Sequence, residues 1–464
     1  MTHHRSLDLG QARLWQRATR AGRRAWIGAW AAACALAATA LVPSAAQAVP
    51  SYARQTGSDC AACHVGSFGP QLTPFGIQFK LGGYTDSDGK DGKVPLSAML
   101  VANHTHTSKD AAEAPERFSA NDNTALQELS GFIAGRFGDH VGAFVQYTYS
   151  DVDRASAMDQ IDLRFATPVQ FGDKEATVGL SLNTNPTLTD PFNTIGQWRF
   201  PYTESDFGYG TGPGPLVEGL ASSVIGVNGY MLWDKHWYGE LGLYNTLSPS
   251  MLNHFNADDV GSFKGLGTYW RLGYMMDRKR DNFSFGLVGF DAKLRPDRSA
   301  PLSDHYRDLG VDAAYQWLGN REHIFSVNAS YIREWQTLDQ TLAGGGASHA
   351  SNSLNQARVA ASYTYDQTWG VTAGLFNTRS SQDSVLNASA LNGRSDTAGY
   401  MLQADWTPWG KEGSWAAPWA NLRLGLQYTG YSRYQGGSRY LDDAGLERRA
   451  RDNNTLMAFA WVLF

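Results

Sequence analysis

The 464-residue chain is 42% hydrophobic but only 18% charged, and it carries 49 Gly, 15 Trp, 21 Tyr and 21 Phe. Charge at this level lies below the roughly 25% usual for soluble domains, yet a mean hydropathy of -0.36 excludes a bundle of membrane helices. A long Gly- and aromatic-rich chain suits an all-β protein, including a barrel whose strands alternate their faces in a membrane.

The first predicted element is a secretory leader over residues 1–48. Arg5, Arg13, Arg17, Arg20, Arg23 and Arg24 precede an uncharged apolar run, residues 25–42, which ends in Pro43 and Ala46-Gln47-Ala48. Basic, apolar and small-residue regions in that order define a cleavable export signal; as a membrane helix the run would sit near the lower length limit. Arg23-Arg24 is a weak twin-arginine match, and Cys34 lacks a convincing lipobox. Without the six arginines and Asp8, the 39 basic and 44 acidic residues become 33 and 43, and the net charge moves from -5 to -10. Such a chain disfavours nucleic acid and is compatible with cationic partners.

The second element, residues 49–94, holds the two remaining cysteines in Cys60-Ala61-Ala62-Cys63-His64. C-x-x-C-H is the attachment pattern of a c-type haem: Cys60 and Cys63 reach the two vinyl groups, and His64 falls beneath the iron as proximal ligand. A disulfide or half of a zinc site is the alternative, although a structural zinc wants four ligands and no second Cys pair exists. The distal ligand is open. Met99, His104 and His106 are the nearest candidates, Met158 and His140 lie further away, and the iron could also stay five-coordinate. In a strand His104 and His106 face one side; their plainer reading is a pair of polar lumen residues near a strand end. The segment 86–93 (DSDGKDGK) hints at calcium but lacks the later ligands of a calcium loop and reads as a polar linker.

From residue 95 to 464 the pattern is that of a barrel. Leu422, Leu424, Leu426 and Tyr428 alternate with Arg423, Gly425, Gln427 and Thr429, and similar alternation runs through 308–317 and 399–406. Period two places one set outward and the other inward. Sixteen such stretches begin near 95, 125, 140, 158, 174, 221, 236, 266, 282, 306, 322, 355, 368, 396, 419 and 453. Tight polar turns alternate with longer segments near 108–124, 185–220, 247–265, 336–354, 380–395 and 432–452, with 152–157 the short exception. Short turns at one end and long loops at the other are the asymmetry of an outer-membrane barrel. A soluble sandwich would have to bury the outward set against a second sheet.

About 45 residues are too few for an independent core, and a sixteen-stranded barrel has a lumen to fill. The haem segment is therefore expected as a plug, with a tethered periplasmic domain as the other arrangement. Phe68, Leu72, Phe75, Ile77, Phe79, Leu81 and Tyr84 would cover the haem edge or pack on the wall. Asp308, Asp312 and Asp405 fall on the lumen face, while Asp190, Glu204, Asp206, Asp258 and Asp259 fall in external loops; all could serve a hydrated wall or a cation.

Tyr52-Ala53-Arg54-Gln55-Thr56-Gly57, the C-x-x-C-H motif, Leu72-Thr73-Pro74-Phe75-Gly76 and Phe79-Lys80-Leu81-Gly82-Gly83-Tyr84 together resemble the outer-membrane monohaem cytochrome-porin fusions, which include iron-oxidising cytochromes. The resemblance covers about 35 residues closely and the remainder only as barrel length and strand number. It implies one haem c, oxidation of extracellular Fe(II) and delivery of electrons to a periplasmic c-type cytochrome or another carrier. Electron export to external acceptors and a passive porin with a structural haem are the alternative functions. No nucleophilic triad or phosphate-binding glycine loop supports hydrolase or transferase chemistry.

Overall fold

The computed structural model describes residues 49–464 apart from 91, 197, 198 and 443, so the expected leader lies outside the described residues. Sixteen long antiparallel strands form the wall. They are β1 (Leu96–Thr107), β2 (Asn123–Arg136), β3 (Val141–Ser150), β4 (Ala155–Phe171), β5 (Lys174–Asn183), β6 (Val224–Trp233), β7 (Trp237–Thr246) and β8 (Gly267–Asp277). The second half comprises β9 (Asp281–Arg295), β10 (Asp304–Trp317), β11 (His323–Thr337), β12 (Ser351–Tyr365), β13 (Trp369–Ser380), β14 (Thr397–Trp406), β15 (Asn421–Arg433) and β16 (Thr455–Leu463). Every expected strand start falls within four residues of the observed one.

Each strand pairs with its sequence neighbour, and β1 closes the ring on β16 in a register from Met99↔Leu463 to Thr107↔Thr455. Closure leaves no unpaired edge, the condition for a sheet to lie in lipid. A short strand, Ser262–Phe263, adds to β9, and Arg439–Leu441 pairs with Glu447–Arg449 in a separate loop hairpin.

Alternation has the expected physical cause. Along β6, buried and exposed residues alternate at every position. Around the wall the exposed set is largely apolar, with Leu241 of β7 at 69% and Leu375 of β13 at 64% exposed, far from what a surface facing water tolerates over a whole wall. Aromatic residues gather at the short-turn end: Trp369 stacks on Trp406 at 5.6 Å, and Trp237 meets Tyr274 edge-on at 4.8 Å. Amphipathic rings suit the boundary between hydrocarbon and water. In the tight turns, Asp234-Lys235 and Asp366-Gln367 take positive φ at both central positions, the twist a two-residue hairpin requires.

Opposite these turns lie eight loops, including 296–303, which the spacing of long segments had not marked. One loop departs from expectation. Residues 184–223 connect the external ends of β5 and β6 but fold back into the barrel, where Ile195, Val217 and Leu220 pack with Tyr244, Tyr269, Phe290 and Ile332 of the wall. The driving force is the burial of these apolar side chains, roughly 25 cal/mol per Å² removed from water. Asp190 is consequently not an external carboxylate. It is fully buried, 2.9 Å from Arg271, and it accepts N–H bonds from Phe192, Thr194 and Ile195. Glu204 and Asp206 also move inward with this loop, and Asp206 pairs with Arg199.

Candidate functional site

Residues 49–84 lie inside the barrel, at the end where β1 begins and β16 ends, and the chain is largely exposed from Asp86 on. Three short helices carry the segment: α1 (Pro50–Thr56), α2 (Cys60–Cys63) and α3 (Pro74–Leu81). Proline opens α1, and Gly57 ends it in the left-handed region at φ 66°, its N–H donating to Ala53 O at 2.8 Å. Tyr52 OH then reaches Ala143 O at 2.6 Å, and Ser51 N donates to Ser97 Oγ at 2.8 Å, so α1 is fastened to β3 and β1.

The single turn of α2 places Cys60 and Cys63 on neighbouring positions of one face. At His64 the backbone becomes extended (φ -125°, ψ 139°) and pairs with Leu72, with Val65 N donating to Gln71 O at 3.0 Å. Thr73 caps α3 by accepting from Gly76 N at 3.3 Å, while its hydroxyl donates to Ala62 O. Gly76 is required by close approach: a Cβ there would stand 2.3 Å from Cys63 O. The Leu-Thr-Pro-Phe-Gly stretch is thus the structural partner of the cysteine turn.

Wall residues hold the turn in place. Asn421 Nδ2 donates to Ser67 O at 2.8 Å and lies 3.3 Å from Cys60 Sγ. Arg423 donates to Gly66 O at 3.0 Å and sets its guanidinium 4.9 Å over the Phe68 ring. Gln316 Nε2 donates to Leu72 O at 2.7 Å, and Arg321 donates to Ala61 O at 2.7 Å. On the other side Tyr84 OH donates to Asp162 at 2.8 Å, and the buried Arg164 bridges Asp162 and Lys80 O. Arg164, Arg321, Asn421 and Gln316 were not singled out from the sequence. Inward polar residues within strands whose outward set is apolar were the available signal for Arg164, Asn421 and Gln316; Arg321 lies in the turn between β10 and β11 and gave none.

Of the seven apolar residues expected to cover haem or wall, six are buried and Phe75 is exposed. Phe68, Phe79 and Tyr84 pack with Phe132, Phe144 and Leu463, whereas Leu72, Ile77 and Leu81 pack with Phe192, Tyr230 and Met275. Between the segment and the β1–β4 wall runs a cavity of about 890 Å³, bordered by Cys60, Cys63, His64, Phe79, Tyr84 and Met99. This lies within the range of about 300–1,000 Å³ typical of cofactor and ligand pockets.

A haem fits this donor set. The two thiols are not joined in a disulfide. His64 Nδ1 is buried with no hydrogen-bond partner among the described residues. Burial pushes the imidazole down to about 4, which keeps it neutral, the form that binds a metal. Burial, with help from Asp86, pushes the Cys63 thiol up to about 12.

The distal candidates separate. Met99 is buried, faces inward and borders the same cavity; Met158 also borders it but is half-buried and pairs with the exposed Tyr147. His104 and His106 do share a face, as expected, but it is the outer face and not the lumen, because β1 buries Asn103, Thr105 and Thr107 instead. Neither lines the cavity. His140 sits exposed in the β2–β3 turn with Nδ1 on Ala166 O at 3.1 Å.

The lumen carboxylates are engaged by protein groups. Asp308 accepts from Val217 N at 3.0 Å, Asp312 lies 2.8 Å from Arg271, and Asp405 lies 3.5 Å from Arg423. Asp259 pairs with Arg298 at 2.7 Å on the exterior. The cavity's far end is bordered by Glu128, Asp153, Asp159, Asp206 and Asp258, with Arg199 as the neighbouring cation.

No protein-family model matches the chain, and no curated protein matches it. Among solved structures, OmpT, an outer membrane protein of Vibrio cholerae, is similar at 9% identity and a TM-score of 0.41, over 81% of this chain and 99% of that one. The outer membrane channel DcaP of Acinetobacter baumannii is similar at 13% identity and a TM-score of 0.42, over 80% of this chain and 97% of that one.

Proposed function

We propose that this outer-membrane barrel is a monohaem cytochrome-porin that carries electrons across the outer membrane, from extracellular Fe(II) to a periplasmic carrier. One observation carries the reading: Cys60, Cys63 and His64 stand inside the barrel, on the wall of a cavity that continues to residues at the external end, among them Asp153 and Asp258. Cys60 and Cys63 would hold the macrocycle as thioethers and His64 would bind its iron, with Met99 as the inward candidate for a second ligand. Bound haem supplies one-electron redox chemistry. The chain supplies the rest.

Phe79, Phe132 and Phe144 line the inner cavity with apolar surface and would keep water from a bound haem. Asn421 and Arg423 fix the backbone that follows His64, so its position does not depend on a loop. At the outer end five carboxylates against Arg199 would draw a divalent cation inward; screening confines that attraction to about 8 Å at physiological salt.

The decisive experiment is anaerobic addition of ferrous iron to the purified, haem-stained protein, read by visible spectroscopy. Reduction of the haem bands is expected. Absence of reduction at every pH where the barrel is folded would remove iron as donor. Free conductance of small solutes through the intact protein would favour a passive channel instead.

A further inference from the structure

The pair His104 and His106 has no part in the cavity. These are alternate residues of β1, near its external end, and both are exposed on the outer face. A strand rises about 3.3 Å per residue, so their Cα atoms are about 6.7 Å apart on one side of the sheet. Below them the outward positions of β1 are apolar or small (Leu96, Ala98, Leu100, Ala102), and above them the chain turns into the polar loop at Ser108. The two rings therefore stand at the upper margin of the apolar band, open to the external solution.

Their orientation is set by β2. His106 Nδ1 lies 2.7 Å from Asp122 Oδ1, and His104 Nδ1 lies 2.8 Å from Thr124 Oγ1. A carboxylate takes a proton donor, so Asp122 fixes the Nδ1–H tautomer of His106 and leaves the lone pair on Nε2. Thr124 Oγ1 holds the His104 ring by the same nitrogen, Nδ1, which turns its Nε2 outward as well. Carboxylate or hydroxyl on one ring nitrogen, with the other turned outward, is the outer-shell arrangement of metal-binding histidines. Two polar residues that merely faced headgroups would need no such buttress from the adjacent strand.

We propose that His104 and His106 form an external binding site for a divalent transition-metal ion, with the two Nε2 atoms as protein ligands and water completing the coordination. No group of three or more His, Cys, Asp or Glu residues suited to a metal occurs among the described residues, so the site is open and exchangeable, not structural. Imidazole pairs favour Cu(II) over Ni(II) and Zn(II). The site is separate from the haem segment and does not depend on haem being bound.

The test is Cu(II) titration of the full exported protein, purified in detergent without a histidine tag and followed by EPR. One equivalent with hyperfine splitting from two imidazole nitrogens is expected, displaced by Zn(II) only in excess. His104→Ala and His106→Ala should each weaken binding at least tenfold, and Asp122→Asn about tenfold, since outer-shell losses run at about 10–100-fold. Copper held at Cys60 and Cys63 would persist in all variants and subtract out. An unchanged two-nitrogen signal in the double His variant, or a wild-type signal with one nitrogen, would overturn the proposal. Should the double variant misassemble, Asp122→Asn retains both imidazoles and decides the matter by itself, because undiminished affinity there removes the buttressed chelate.

Discussion

Gly76 is the most exacting small residue of the segment that carries the C-x-x-C-H motif, because its missing side chain lets α3 touch the Cys63 carbonyl. Gly76→Ala should cost about 1–3 kcal/mol through overpacking, seen as a lower melting temperature and, on the proposed haem attachment, as less covalent haem on a stained denaturing gel. On the proposed haem ligation, His64→Ala should change the haem's visible spectrum most and Met99→Ala should alter it, whereas His104→Ala should leave it unchanged. An unaltered spectrum in Met99→Ala would remove Met99. Lys80 gives a pH dependence. Burial, with Arg164 adding to it, holds its ammonium down to about 7 although Nζ donates to Asp190 O at 2.6 Å and Asn193 Oδ1 at 2.7 Å. The ordinary lysine value is about 10.4, so between these limits the folded state binds fewer protons than the unfolded one, and stability rises with pH from about 7 upward. Protease release of the plug should therefore decrease from pH 7 to 9 and lose that slope in Lys80→Met. At this scale the motif residues were legible from spacing, while Gly76 and Lys80 were seen only as parts of a resemblance, since nothing local reveals what approaches them.

Inserted elements depend on inward arginines of the wall. Arg271 neutralises Asp190 from the inward loop and Asp312 from β10, all three side chains being fully buried. Arg271→Ala leaves two uncompensated carboxylates, a loss of about 3–5 kcal/mol, and should expose residues 184–223 to external protease while the barrel itself survives. Retention of full protection would show that apolar packing alone holds the loop. Strand existence and order were legible because lipid outside and side chains inside impose period two on every stretch. The inward fold of 184–223 was not, because loop length is visible in a sequence and loop direction is not; Leu188, Phe192, Ile195 and Leu220 become decisive only when a lumen exists to receive them.

For the whole molecule, two insertions from opposite ends occupy a lumen built by sixteen strands. Deleting residues 50–93 should raise single-channel conductance several-fold over the intact protein, and equal conductance would show that the inward loop alone sets the pore. The sequence by itself determined the all-β class, the strand number, the sidedness of turns and loops, and the cysteine-histidine motif, because each follows from a periodicity or spacing within a few residues. Only the tertiary structure decided that the motif lies within the barrel, that Met99 faces it while His104 and His106 face away, and that Asp190 belongs to the interior. Those outcomes depend on which wall surface meets which segment across tens to hundreds of residues, and a one-residue shift in where a strand begins reverses every side chain along it.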